Sequence, residues 1–411
     1  DYYDAFVATA SKRNIFNSLN RAEHSRKRRN VAHAYSPTSV SKYEKHLMEN
    51  LGIFVKRWDN LIAQSNDDYI RLDCLHWLNL LAFDIIGDLA FGKSFGMVDR
   101  GEDITELKMT SDGPSSYAPA VKTLNIRGDI SGALGCLPQL VPYAKYFPMP
   151  ALRRGVIAGD NLLGIAAVRV AQRLDGKCEP GRVDILSHLT KGKNLNDEII
   201  AHDELVSEAL SHMIAGSDTT SNTSCAILYW VLRTPNVLAR LKAELDAAIP
   251  SDVALPNYAA VKDLPYLHNV IREVLRVHST SSLGLPRTVP PGPGVTLYSH
   301  YFPAGTVLSV PTYTIHHSTK IWGENANEFI PERWENLTER QKSAFIPFSY
   351  GPRSCIGRNL AMMELSLIVA TLIHWWDFKL YTENLETVEG FLRKPVECVV
   401  GVKRRDLSNN S

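Results

Sequence analysis

The sequence FSYGPRSCIG, residues 348–357, places a cysteine in a glycine-rich loop directly ahead of an apolar, helix-forming stretch. Glycines let backbone N–H groups approach the Cys355 sulfur, and the positive N-terminal end of the following helix favours a thiolate there. The alternative is a buried structural cysteine, which would be preferred for an isolated residue. The positions that together support a functional thiolate are Phe348, Gly351, Arg353, Cys355 and Gly357.

The composition is that of a globular protein with a large core. The chain has 411 residues, is 45% hydrophobic and carries a formal net charge of +1. Because the charge is nearly balanced, there is no general reason to expect nucleic acid as a partner. The six cysteines are scattered and contain no CxxC pair, so neither a disulfide framework nor a zinc knuckle is indicated, which fits a reducing compartment.

Helical periodicity dominates the first two thirds of the chain. Apolar spacing predicts helices over residues 42–64, 74–91, 161–174, 264–277 and 358–375, and Thr234-Pro235 begins a further one that ends near residue 249. Residues 111–150 are rich in Gly and Pro and predict loops with short helical pieces. Prolines and β-branched residues over 286–305 predict short strands. The fold is therefore expected to be mainly α with a small β-rich minority.

The stretch from residue 208 to 232 is long and apolar enough to span a bilayer, but its centre is polar. Its middle reads AGSDTT at residues 215–220, and hydroxyl side chains in a helix can bond back to carbonyls and loosen it locally. Charged and hydroxyl residues at the centre favour a buried helix in a soluble core. In isolation the hexapeptide could be a polar kink with no further role.

Two other short patterns are weak when taken alone. Glu273 and Arg276 share a helix face and could form an ordinary surface ion pair. His24 and Arg28 also share a face, inside a basic run at residues 26–29 that could be a solvated helix surface or bind an anionic partner.

Together these segments resemble the cytochrome P450 family, in matching order over nearly the whole chain. The resemblance implies the P450 fold, haem b as cofactor and Cys355 as the axial ligand of its iron. Residues 1–411 are then one P450 domain, with the haem loop at 348–357 and the oxygen-binding helix at about 203–233. Because P450s carry an anchor, a helix and part of a sheet ahead of the matching region, the N-terminal part is expected to be missing.

The resemblance also implies roles for individual residues. Asp218 and Thr219 occupy the acid and alcohol positions that deliver protons to bound dioxygen, and Gly216 would leave space for that ligand. Glu273, Arg276 and Arg333, the last in Pro331-Glu332-Arg333-Trp334, form a bracing triad beneath the haem. The remaining members of the basic run, Arg26, Lys27 and Arg29, would help to form a docking surface for an acidic redox partner. The implied haem-binding residues are His24, Arg28, Arg287, Phe348, Arg353, Cys355 and Gly357.

Several stretches resemble the fungal benzoate 4-monooxygenases in particular. They include FDIIGDLAFG at 83–92, TIHHS at 314–318 and EGFLRKP at 389–395. This implies a small aromatic acid as substrate, with O2, and 4-hydroxylation of benzoate as the reaction. The ring slot could draw on Met213, Ala215, Thr219 and residues 277–285. The candidates for binding the carboxylate are Ser279 to Ser282, Arg127 and Tyr117.

The P450 resemblance further implies an external electron source, because the chain has no flavin or nicotinamide motif. We expect NADPH–cytochrome P450 reductase as partner. We also expect the endoplasmic reticulum membrane as location, with the catalytic domain facing the cytoplasm and an anchor lying outside this chain. The alternatives are a P450 acting on another small hydrophobic or secondary-metabolite substrate, and a haem protein that is not a monooxygenase.

Overall fold

A computed structural model describes residues 1–9, 11–109, 113–176, 182–251 and 253–407. Helices account for most of these residues. The α-helices are α1 Arg21–Ala32, α2 Pro37–Gln64, α3 Cys74–Phe91, α4 Met97–Arg100, α5 Ala120–Gly135, α6 Pro150–Leu174, α7 Ile185–Leu189, α8 His202–Arg233, α9 Pro235–Ala248, α10 Tyr258–Val261, α11 Pro265–Val277, α12 Thr312–His316, α13 Thr319–Trp322, α14 Glu339–Ala344 and α15 Arg358–Trp375. The 3-10 helices are Tyr2–Phe6, His33–Tyr35, Pro138–Tyr146, Pro331–Glu335 and Gly351–Arg353.

The strands are short and form small antiparallel sheets. The largest described sheet has three strands in the order β1-β11-β8, with Ile70 paired to Val402 and Val400 paired to Leu380. The other described sheets are the hairpins β2-β3, β5-β6 and β9-β10 and the pair β4-β7. The strands are β1 Ile70–Asp73, β2 Thr105–Leu107, β3 Ser116–Ala118, β4 Arg287–Thr288, β5 Val295–Leu297, β6 His300–Phe302, β7 Val307–Leu308, β8 Trp376–Leu380, β9 Thr387–Glu389, β10 Arg393–Pro395 and β11 Val399–Arg404. The mainly α fold with a β-rich minority is confirmed.

Helices α3 and α8 form the centre of the core, which extends through α2, α11 and α15. Helix α3 begins where Asp73 accepts a hydrogen bond from the Leu75 N–H, and it ends at Gly92, whose φ of 78° suits the left-handed cap. Almost every α3 side chain is buried, which explains why apolar residues occur on all sides of this helix. Among the described residues α3 is the one helix that is long and apolar enough to cross a membrane, and 89% of it is buried within the protein.

The prediction for residues 111–150 was wrong in one respect. The segment contains α5, a regular helix of 16 residues, because its glycines serve close packing and do not break the helix. A Cβ on Gly132 would lie 3.0 Å from the Phe391 backbone nitrogen, and one on Gly135 would lie 2.6 Å from the Tyr2 ring. The prediction that residues 208–232 form a buried core helix is confirmed by α8.

Candidate active site

The loop that carries Cys355 is held by its own backbone. The Cys355 N–H donates to the Phe348 carbonyl at 2.8 Å, and Gly351 takes a left-handed φ of 79° at the turn between them. A short 3-10 turn over Gly351–Arg353 follows, and α15 begins at Arg358. Cys355 keeps an accessible surface, although protein atoms surround it on most sides. The loop therefore presents the sulfur to an open space just ahead of a buried helix, as the sequence predicted.

Some groups around Cys355 raise the pKa of its thiol and others lower it. Burial by the surrounding protein raises the pKa of Cys355, while the Gly357 N–H and the Arg28 and Arg358 guanidiniums lower it by less. The Gly357 N–H therefore acts in the expected direction, although burial outweighs it. A coordinated metal ion deprotonates a thiol outright, so the thiolate form depends on the metal.

Basic side chains from three separate segments converge beside this loop. Arg28 on α1 donates to the Ser354 carbonyl at 2.8 Å, and Arg353 donates to the Ser18 carbonyl at 2.7 Å. Burial and then the positive charge of Arg353 lower the pKa of Arg287 on β4. Burial, followed by Arg353 and Arg28, lowers the pKa of His24 to about 4, so the imidazole is neutral at pH 7.

None of these three arginines forms an ion pair with a carboxylate within the described part of the chain. Repulsion among cations that are partly removed from water is unfavourable unless an anion joins them. The sequence-predicted residues His24, Arg28, Arg287 and Arg353 are thus brought together as a set that fits an anionic group, such as the two propionates of a haem.

The middle of α8 supplies the opposite wall. Ala215 is exposed and Thr219 half-buried in a helix whose neighbouring residues are mostly buried, so this part of α8 borders an opening. The Thr219 hydroxyl donates to the Ala215 carbonyl at 2.8 Å. The Ala215 carbonyl of the helix therefore also accepts a hydrogen bond from the Thr219 hydroxyl, and this hydroxyl is accessible to a small ligand.

Asp218 is fixed by one partner on β10 and by one on α8 itself. Its carboxylate forms an ion pair with Lys394 of β10 at 2.7 Å and accepts from the Asn222 amide at 3.0 Å. Lys394 also donates to Asn125 of α5 at 2.8 Å. The acid is therefore buried but paired, one residue away from the accessible Thr219 hydroxyl.

Gly216 has a role different from the one expected. A Cβ there would lie 2.5 Å from the Ile86 side chain of α3. The glycine is required because α3 and α8 approach each other closely at this point, and its Cβ position does not face a ligand space.

The bracing triad is present, with Glu273 and Arg276 completely buried and Arg333 partly buried. Glu273 receives two hydrogen bonds from Arg276, at 2.7 and 2.9 Å, and Arg333 approaches it at 3.3 Å. Arg276 also donates to carbonyls of residues 316, 326 and 328, and Trp334 donates to Glu273 at 2.9 Å. The triad therefore ties α11 to the segment that leads into the cysteine loop.

Two members of the basic run do not form a docking surface. Arg26 and Lys27 are buried, and both bind Glu204 of α8, while Lys27 also pairs with Glu208 at 2.9 Å. Their charges are neutralised inside the protein because α1 packs against the start of α8. Only Arg29 of the three predicted residues remains exposed.

A polar cluster between α8 and α15 was missed by the sequence reasoning. Glu364 is buried and accepts a hydrogen bond from Thr220 at 2.9 Å, and burial raises its pKa to about 8. Close by in the core, the Tyr35 hydroxyl bonds His212 at 3.0 Å, and burial lowers the pKa of His212 to about 4. Glu364 could have been noticed as a lone carboxylate in the apolar run at residues 360–373.

The chain belongs to the cytochrome P450 family, whose family model matches residues 2–401. It is 52% identical to a benzoate 4-monooxygenase, bphA, of Aspergillus niger over 98% of this chain and 80% of that protein. It is 32% identical to the cytochrome P450 monooxygenase astJ of Aspergillus oryzae, over 91% of this chain and 71% of the relative. It is 29% identical to a trichothecene C-4 hydroxylase of Trichoderma arundinaceum, over 93% of this chain and 74% of that protein.

The protein is a haem-thiolate monooxygenase, and its residues fit the cofactor. The exposed sulfur of Cys355, the unpaired cations around His24 and the opening beside Thr219 provide the ligand, the counter-charges and the space. When bound, the haem supplies oxygen activation, which thiolate ligation promotes. The reaction uses an organic substrate, O2 and electrons from a redox partner.

Proposed function

We propose that this enzyme hydroxylates benzoate at the 4-position. The observation that carries the proposal is the 52% identity, over 98% of the chain, to a benzoate 4-monooxygenase. A P450 for another small hydrophobic molecule is the second candidate, because the relatives near 30% identity include P450s with other names.

A benzoate site needs a cation or donor for the carboxylate, and Arg127 supports this role best. The guanidinium of Arg127 is buried on α5, and burial lowers its pKa to about 10. Its Nη2 donates to the Phe6 carbonyl at 2.8 Å, and it forms no ion pair with a carboxylate in the described residues. A buried cation without an anion is costly, and a bound carboxylate would offset that cost.

Aromatic rings surround this part of the molecule. Phe6, Phe16 and Phe391 contact one another with ring centroids 4.7 to 5.6 Å apart, and the Arg127 guanidinium lies 5.9 Å from the Phe6 ring. Flat apolar walls beside a buried cation suit the ring and the carboxylate of one small aromatic acid.

Most of the other carboxylate candidates have competing partners or lie outside. The Ser279 hydroxyl bonds His316 at 2.7 Å, Thr280 pairs with Thr223, and Ser282 donates to Glu389. Tyr117 is 71% exposed, so it offers no enclosed site. Ser281 and Arg127 remain, and Arg127 is the proposed carboxylate ligand because it carries a positive charge.

The remaining roles follow from the arrangement of the site. Asp218 and Thr219 hold and pass protons beside the reacting oxygen, Cys355 ligates the iron, and the basic set around His24 binds the propionates. Phe348 and Gly357 shape the loop. One continuous hydrophobic core and a family match over residues 2–401 support treating the chain as one domain.

We further propose NADPH–cytochrome P450 reductase as the electron donor, acting at the endoplasmic reticulum membrane. The support is the family membership together with the absence of a flavin or nicotinamide motif from this sequence.

The test is a reconstituted reaction. The purified holoenzyme, NADPH, a fungal P450 reductase and benzoate should give 4-hydroxybenzoate, and benzoate should shift the Soret band of the resting enzyme. Benzamide, which has the same ring without the charge, is the matched control ligand. The proposal fails if benzoate causes no shift and no product while the ferrous–CO spectrum shows an intact haem.

A further inference from the structure

Three cysteines that lie far apart in the sequence meet in the core. Cys74 is the first residue of α3, Cys225 lies on α8, and Cys398 directly precedes β11. Their side chains are fully buried, with 0% exposure. Cys355 is not a member of this cluster, which we call the thiol cluster.

The three sulfurs are close enough to bind one ion. All lie within 4.8 Å of one another, and Cys74 Sγ and Cys225 Sγ are 4.0 Å apart. A metal–thiolate bond is about 2.3 Å long, so three sulfurs in one plane around an ion stand about 4.0 Å apart. A disulfide bond is much shorter, at about 2.05 Å, so the observed spacing excludes a disulfide and permits shared coordination.

The surrounding backbone holds these positions rigidly. The Cys74 N–H donates to the Cys398 carbonyl at 2.9 Å, which continues the β1-β11 ladder. Asp73 accepts from the N–H groups of Leu75 and Cys398, both at 3.0 Å. The first turn of α3 also places its positive end beside the sulfurs, which favours a thiolate.

Binding of a cation by all three sulfurs would release the thiol protons, because the thiolate is the form that ligates a metal ion.

A polar cavity of about 200 Å³ lies beside the cluster and offers an entry route. Its lining includes Asp73 and Val396, close in sequence to Cys74 and Cys398, and Asn222, one helical turn before Cys225.

From this geometry we propose that the thiol cluster is a three-coordinate site for a soft, thiophilic cation of the Cu(I) class. Soft thiolate ligands select Cu(I), while zinc in structural sites takes four ligands. Buried cysteines can also pack simply as small apolar residues. Simple packing does not require three cysteines from three elements to meet. It also does not require hydrogen bonds among them or a spacing that suits an ion.

The test uses the full-length holoenzyme with Cys136 and Cys178 replaced by serine, which leaves the thiol cluster and the haem ligand. Cu(I) is titrated without oxygen against a chromogenic Cu(I) chelator. We expect one chelator-resistant Cu(I) per protein and an X-ray absorption signature of three sulfur neighbours. The ferrous–CO spectrum should not change, which shows that copper does not reach Cys355.

Replacing Cys74, Cys225 or Cys398 singly by alanine should weaken Cu(I) binding by about 100-fold or more. The ferrous–CO spectrum of each variant reports whether it has folded. The proposal is overturned if the protein with an intact thiol cluster retains no Cu(I) against the chelator, if the absorption data show fewer than three sulfurs, or if a folded single variant binds copper equally well.

Discussion

The Asp218 carboxylate and the Lys394 ammonium form a 2.7 Å ion pair that joins the middle of α8 to β10. Because Asp218 adjoins Thr219 and Lys394 also binds Asn125, this contact links the proposed proton-delivery pair to α5, which carries the proposed carboxylate ligand Arg127. One lysine therefore connects the proposed proton-delivery pair to the helix that carries the proposed carboxylate ligand.

Asp218→Asn should lower the rate of hydroxylation by about 100-fold or more, because an amide cannot serve as the proton donor. We expect more hydrogen peroxide and less product for each NADPH consumed. The benzoate-induced Soret shift and the ferrous–CO spectrum should remain. Unchanged product per NADPH would exclude Asp218 from proton delivery.

Lys394→Met should also lower the product formed per NADPH, because Asp218 loses the cation that orients it. Lys394→Arg keeps the charge and is the matched control, which should recover most of the activity. If methionine and arginine variants behave alike while both fold, Lys394 does not act as a positioning residue for Asp218.

Arg127→Gln should weaken benzoate binding by about 10- to 100-fold, the cost of losing a hydrogen bond to a charged group. Binding is measured from the Soret shift during titration. Benzamide should bind both forms with similar affinity, since it carries no charge. If the Arg127→Gln enzyme binds benzoate with unchanged affinity, Arg127 does not bind the carboxylate.

Glu273→Gln should destabilise the protein by about 3–5 kcal/mol, because it leaves two buried arginines with a neutral partner. We expect a lower yield of haem-loaded protein and a lower midpoint of thermal unfolding. Glu335→Gln is the control: Glu335 pairs with Arg240 at the exposed surface, where an ion pair contributes about 0–1 kcal/mol. Equal losses in the two variants would contradict a bracing role for the triad.

Glu364 should make stability fall as the pH rises. Burial raises its folded-state pKa to about 8, above the ordinary value of 4.5, so the folded protein holds a proton that the unfolded chain has released. This contribution is present below pH 4.5 and is lost towards pH 8, with a slope of up to about 1.4 kcal/mol per pH unit. Glu364→Gln should flatten the dependence of the unfolding midpoint between pH 5 and 8. An unchanged slope would show that Glu364 is ionised in the folded protein.

The parts of the site that follow from local sequence could be predicted. The Cys355 loop is one continuous stretch, and its geometry is set by glycines and by the helix that follows. The triad of Glu273, Arg276 and Arg333 required the family resemblance, because the sequence spacing alone also fits a surface ion pair.

The rest depended on long-range packing that no local pattern encodes. The helix at residues 120–135 was missed because Gly132 and Gly135 looked like helix breakers, while in the fold they allow Phe391 and Tyr2 to approach. In the same way, Arg26 and Lys27 looked solvated until α8 supplied their glutamates. Glu364 and the Asp218–Lys394 pair also join residues more than 140 positions apart.

Whether Cys355 ligates the haem iron as a thiolate is decided by the absorption spectrum of the reduced, carbon monoxide-treated protein. We expect the strongly red-shifted Soret band of a thiolate-ligated haem, its loss in Cys355→Ser, and its retention in the control Cys136→Ser. A Soret band at the unshifted position in the unaltered protein, or a shifted band that survives in Cys355→Ser, would rule out Cys355 as the thiolate ligand.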